Sequence, residues 1–181
     1  MSAEYHFVTS WWVAGTAEEV GAILGDATTL TAWWPSVYLD VRELEPARPD
    51  GTGRVLDVLT KGWLPYTLRW TLTVTEPLSP TGFAVAARGD FVGAGRWTFT
   101  EHGPEVEVVY DWRIRADKPL LRRLTWLMRP IFSANHLWAM QRGEESLKLE
   151  LRRRRGVIVQ RDARPPGPTF ARLAQRLGER A

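Results

Sequence analysis

One long helical stretch closes a chain that otherwise reads as strands, and this asymmetry restricts the fold more than any other feature. From about Asp117 to about Arg155, Leu121, Leu124, Met128, Phe132, Asn135, Ala139, Gly143, Ser146 and Glu150 fall at helical spacing, with Leu127, Ile131, Trp138 and Glu145 on the neighbouring line. About 80 residues of strand-like sequence without a comparable helix precede it. A lone helix after a run of strands must bury its apolar face against their sheet, because no other layer is available. The line expected to meet the sheet carries Asn135, Ala139, Gly143 and Ser146, with His136 and Arg142 beside them, where a solid core would carry Leu or Ile. The expectation is a helix closing over a cavity. Pro119 falls in the first turn, where its missing N–H is not needed. Pro130 lies inside the pattern and is expected to kink or interrupt the helix, with a second piece starting near Ser133 or Asn135.

The strands ahead of this helix alternate. Glu4 to Ala14 sets Tyr5, Phe7, Thr9, Trp11 and Val13 on one face. Thr16 followed by Glu19 has the form of a capping box, so a short helix is expected through Val20, Ile23 and Leu24. A second short helical piece over 27–32 must stop before Trp34-Pro35. Strands are then expected over 36–45, 53–61, 66–76, 83–88, 93–101 and 105–115. Tyr66, Leu68, Trp70, Leu72 and Val74 share one face, as do Val106, Val108, Tyr110, Trp112 and Ile114. One apolar and one polar face, joined by tight turns, describes an antiparallel sheet wetted on one side. Gly89, Gly93 and Gly95 cluster where such a sheet should bend.

Composition narrows the function classes. At 181 residues one domain is expected, with 44% apolar and 25% charged residues typical of a globular chain. Ten tryptophans favour either a broad aromatic-lined interior or a well-packed aromatic core. The absence of cysteine excludes disulfides and thiolate chemistry. His6, His102 and His136 have no metal-ligand spacing, and no phosphate-binding glycine loop, dinucleotide fingerprint or serine elbow occurs, so neither metal nor cofactor is expected. The N-terminus carries no signal-like apolar core, and a cytoplasmic protein is the default. From Arg152 onward nine arginines stand against Asp162 and Glu179, a net +7, while the remainder is −4. This tail, residues 156–181, contains Arg164-Pro165-Pro166-Gly167-Pro168 and an amphipathic spacing of Phe170, Leu173 and Leu177. It reads either as a solvated helix end or as a weak contact for an anionic membrane surface; no nucleic-acid partner is expected.

The order of strand, two short helices, about six antiparallel strands and one long helix resembles the helix-grip fold of the START-like, or SRPBCC, superfamily, which includes polyketide cyclases/dehydrases, START lipid-transfer domains and Bet v 1-like proteins. Trp33-Trp34-Pro35, Lys61-Gly62-Trp63-Leu64-Pro65-Tyr66, Gly89-Asp90-Phe91-Val92-Gly93-Ala94-Gly95-Arg96-Trp97 and Asn135-His136-Leu137-Trp138-Ala139-Met140 are similar to stretches of bacterial members. The resemblance covers about residues 3–155. It implies an α+β fold, a curved antiparallel sheet of about seven strands wrapped around the last helix, with an apolar cavity between them. The function implied is binding of a hydrophobic small molecule such as a lipid, polyketide or aromatic compound. The alternative is a cyclase/dehydrase-type enzyme using acid/base residues of the cavity without metal or cofactor.

Candidate ligand contacts are Trp33 and Trp34 at the corner after the short helices, and the inward rings Tyr66, Trp70, Trp97, Tyr110 and Trp112. On the helix, Phe132, Asn135, Ala139 and Arg142 join them. Asn135 and His136 can hydrogen-bond a carbonyl or hydroxyl, or can bridge a break after Pro130. Arg142 can hold an acidic group or pair with Glu144 or Glu145. His136 and Asp111 are the candidate acid/base groups, Asp111 only if it points inward rather than pairing on the wet face.

Overall fold

A computed structural model describes residues 4–116, 119–157 and 167–169; over 119–129 it describes the backbone alone. Strand β1 (Glu4–Ala14) is followed by helix α1 (Ala17–Leu24), a 3-10 turn (Ala27–Thr29) and helix α2 (Leu30–Trp33). Strands β2 (Tyr38–Glu45), β3 (Val55–Lys61), β4 (Thr67–Ser79), β5 (Gly82–Gly89), β6 (Phe91–His102) and β7 (Glu105–Ala116) lead to helix α3 (Pro119–Arg154). The strands form one antiparallel sheet in the order β1-β7-β6-β5-β4-β3-β2. It curves about α3 in the α+β helix-grip arrangement.

Local chemistry explains the boundaries. Thr16 accepts the Glu19 N–H and Glu19 accepts the Thr16 N–H, a closed capping box that starts α1. β4 runs through Pro77, past the expected end at 76. The ladder to β5 shifts register between Val74 and Glu76 and again between Glu76 and Ser79, so proline sits where no regular ladder bond is required. α1 and α3 are joined at the surface by Glu19 and Arg155, 2.6 Å apart. That pairing, chiefly the Arg155 hydrogen bond, holds the Glu19 carboxyl at about 2.

The expected break at Pro130 does not occur, because α3 is continuous from Pro119 to Arg154. A proline inside a helix costs about 3 kcal/mol. Beyond it α3 buries Met140, Leu147 and Leu151, and each such side chain contributes roughly 1.5–3 kcal/mol. Keeping that face in register outweighs one lost hydrogen bond.

The register divides the interior into a solid end and a hollow end. At one end Trp11 faces Val108 and Val13 faces Val106 across β1 and β7, and these four close with Val20, Ile23 and Leu147 into a core sealed from solvent. At the other end Tyr5 faces Ile114 and Phe7 faces Trp112. There the space beneath α3 stays open.

Candidate functional site

The hollow end is a cavity of about 180 Å³. Strand β7 supplies Tyr110, Trp112 and Ile114; β6 supplies Phe91 and Trp97; β4 supplies Leu68 and Trp70; and β1 supplies Tyr5 and Phe7. Helix α3 roofs it with Phe132, Asn135, His136, Ala139 and Met140, while Trp34, Val37 and Tyr38 close one end. Trp97, Tyr110 and Trp112 form a continuous stack, with centroids 4.0 and 5.4 Å apart. Gly95 lies opposite Trp112 in the ladder. A Cβ there would stand 2.5 Å from the Trp112 ring and 2.6 Å from the Tyr110 hydroxyl, so the stack requires a bare backbone at that position.

The polar groups of this apolar box are few and predominantly neutral. His136 stacks on Phe7 at 4.2 Å, and its buried Nε2 has no hydrogen-bond partner among the described residues. Burial holds the imidazole down to about 4, so it is uncharged at neutral pH. Burial, with Tyr5 nearby, pushes the Tyr66 phenol up to about 12. Tyr38 and Tyr110 are raised by burial as well. Thr60 accepts the Trp70 indole N–H at 3.0 Å.

Lys61 is 2% exposed. Its ammonium donates to the carbonyls of Gly62 (3.1 Å) and Leu64 (2.7 Å) and to the Thr169 hydroxyl (3.1 Å), and burial lowers its pKa. The charge is thereby turned onto its own loop and onto the returning C-terminal segment. Asn135 Oδ1 accepts the Leu64 N–H at 3.2 Å and pins the same loop to α3. Gly62 lets the loop lie flush, since a Cβ there would meet the Asn135 side chain at 2.1 Å.

Of the residues singled out from the sequence, Trp34, Tyr66, Trp70, Trp97, Tyr110, Trp112, Phe132, Asn135, His136 and Ala139 lie together around the cavity. Three do not. Trp33 is buried against Trp34, centroids 5.4 Å apart, and acts as packing behind the wall. Arg142 turns outward to Glu145 at 2.6 Å, its i+3 neighbour on the same helix, and stands 6.0 Å from the Trp138 ring. Asp111 projects from the opposite, wetted face of β7, bonded to Arg113 (3.2 Å) and His6 (3.1 Å). The Arg113 hydrogen bond is the main reason its carboxyl sits below the ordinary range. Strand alternation decides this: Tyr110 and Trp112 point inward, so Asp111 points outward.

The open length of α3 is also shorter than expected. The room at Gly143 is filled by the Trp34 ring, 2.3 Å from where a Cβ would lie, and Ser146 donates to the Arg142 carbonyl at 2.6 Å. Asn135 and His136 do not repair a helix break, since there is none. Tyr5, Phe7, Tyr38, Lys61 and Phe91 line the cavity without having been singled out as contacts. The inward register of β1 was the available signal for Tyr5 and Phe7. Among the described residues no three His, Asp or Glu gather as a metal site.

Residues 5–152 match the family described as polyketide cyclase / dehydrase and lipid transport. Among solved structures, the ZhuI aromatase/cyclase from Streptomyces sp. R1128 aligns with a TM-score of 0.63 at 16% identity, over 84% of this chain and 96% of that one. A START superfamily protein from Mycobacterium smegmatis aligns with a TM-score of 0.57 at 16% identity, over 82% and 97%. Norcoclaurine synthase from Thalictrum flavum, in complex with dopamine and hydroxybenzaldehyde, aligns with a TM-score of 0.57 at 14% identity, over 82% and 88%. At these identities the likeness is one of fold. No curated protein sequence matches.

Proposed function

Because the chain belongs to the polyketide cyclase / dehydrase and lipid transport family, we propose that it binds an uncharged, largely apolar small molecule bearing a carbonyl or hydroxyl oxygen in the cavity beneath α3. The observation that carries this reading is a ring-lined cavity whose exposed polar groups are neutral. They are the His136 imidazole and the phenols of Tyr38, Tyr66 and Tyr110. Such groups orient a neutral ligand by hydrogen bonds while the rings supply the burial energy. The Lys61 ammonium directs its donors at its own loop and Thr169 rather than at a ligand.

A second reading, acid/base turnover, is favoured by one feature, an imidazole acceptor and a phenol donor sharing a cavity. Proton transfer is most effective from groups whose pKa lies near the working pH. His136 at about 4 and Tyr66 at about 12 lie well to either side, which makes binding the better-supported role. The arginines of the tail and its amphipathic spacing of Phe170, Leu173 and Leu177 lie outside the described residues. Arg153 and Arg154 pair with Glu150, and Arg155 pairs with Glu19. No described helix is long and apolar enough to cross a membrane.

The test is native mass spectrometry of protein purified from a lipid-rich host, followed by organic extraction. The expected result is a stoichiometric adduct that extracts as an apolar, oxygen-bearing molecule. An adduct-free protein that also takes up no neutral aromatic ketone at millimolar concentration would overturn the reading.

A further inference from the structure

A second cavity, of about 310 Å³, lies between the α1–α2 segment and the inner faces of β4 and β5. Leu24, Leu30, Leu72, Val74, Phe83 and Val85 give it an apolar lining. Trp34, Tyr38, Trp70, Trp97 and Tyr110 line both cavities, so only a shell of aromatic rings stands between the two spaces. We propose that these spaces are two halves of one binding site, which takes an elongated uncharged molecule, apolar at both ends and bearing a carbonyl or hydroxyl oxygen near its middle. The inference rests on the function proposed above and extends it to the shape and polarity of the ligand.

Three observations carry it. The first is size. Binding pockets for compounds of several rings fall at roughly 300–1,000 Å³, whereas a void of about 150 Å³ holds a single benzene. The cavity beneath α3, at about 180 Å³, is on the one-ring scale, whereas its neighbour, at about 310 Å³, supplies the room a larger compound needs.

The second is the partition itself. Tyr38 and Tyr110 face both spaces, yet neither hydroxyl has a hydrogen-bond partner among the described residues. Each hydroxyl is therefore open to the cavity space, and a ligand oxygen that comes to lie at the partition can accept its hydrogen bond. The third is charge. Arg54, on the rim of the second cavity, is held by Glu43 at 2.5 Å with Asp26 at 4.0 Å, so this end offers no uncompensated charge to an ionic ligand.

The test compares three probes by isothermal titration calorimetry on the full chain. They are acetophenone (one ring), 2-benzoylnaphthalene (two apolar arms about a ketone) and 2-benzylnaphthalene (the same shape without the oxygen). Four proteins are titrated: the wild type, Tyr38→Phe, Tyr110→Phe and Val74→Phe. The ketone should bind wild type about tenfold more tightly than the hydrocarbon, one hydrogen bond's worth of selectivity. Tyr38→Phe and Tyr110→Phe preserve volume and should erase much of that preference while leaving the hydrocarbon's affinity unchanged. Val74→Phe intrudes on the second cavity alone and should weaken both long probes at least tenfold without touching acetophenone. If acetophenone binds but neither long probe does, or if Val74→Phe and the tyrosine variants leave 2-benzoylnaphthalene unaffected, the two-chamber site is wrong while the cavity beneath α3 still binds. If none of the three binds, the underlying function fails as well. Should Val74→Phe lose its fold by circular dichroism, the isosteric tyrosine variants decide.

Discussion

Acidification from pH 8 to pH 5 should destabilise this protein chiefly through His136. Its imidazole is buried against Phe7 and held at about 4, against an ordinary value of 6.5. A base whose folded pKa lies below its unfolded value loses stability as pH falls, because the unfolded chain takes up the proton first. The loss begins near pH 6.5 and is complete near pH 4. Between pH 8 and pH 5 it amounts to about 2 kcal/mol. His136→Phe keeps a ring on Phe7 and removes the titration. Urea unfolding of both proteins at pH 8 and pH 5 isolates the effect, since every other titrating group is common to the two. The wild type should lose about 2 kcal/mol more than the variant on acidification. Equal losses would show that the imidazole is not held neutral by burial, and the reading of the cavity as a neutral box would fall with it.

Other perturbations follow from the same geometry. Asp111→Asn should leave ligand affinity unchanged and shift stability by less than about 1 kcal/mol in urea unfolding, because its partners are exposed surface groups. Gly143→Val should destabilise by about 1–3 kcal/mol, since its Cβ would overlap the Trp34 ring; a melting temperature equal to wild type would refute that packing. Asn135→Ala leaves the Leu64 N–H without its acceptor. It should cost about 1–2 kcal/mol and raise hydrogen exchange in the 62–66 loop above the rest of the chain.

The sequence carried most of the architecture because period-two alternation survives in every long strand. In β7 the inward set from Val106 to Ile114 is the set found inside, and the capping box of Thr16 and Glu19 marked the start of α1. The cavity wall was legible wherever this alternation held, which is why Tyr110, Trp112, Trp97 and Trp70 fall around it. Features set by packing across long sequence separations were not legible. Pro130 has the local chemistry of a break, and only the burial of α3 beyond it keeps the helix whole. The small residues Gly143 and Ser146 suggested ligand space, but Gly143 accommodates Trp34, more than a hundred residues earlier. Arg142 sits one turn past the lining residue Ala139, and only the ion pair with Glu145 shows which way it turns. Lys61 gave no sign in the sequence that its ammonium would be sealed under the carbonyls of its own loop and met by Thr169.

A crystal structure with 4-bromoacetophenone tests the central claim most directly, because the anomalous signal of bromine marks the ligand without interpretation of weak density. The account predicts a bromine site beneath α3, bordered by Trp97, Tyr110, His136 and Ala139, with the ketone oxygen within hydrogen-bond reach of a phenol or imidazole. Bromine sites confined to the outer surface, at concentrations where calorimetry registers binding, would contradict it.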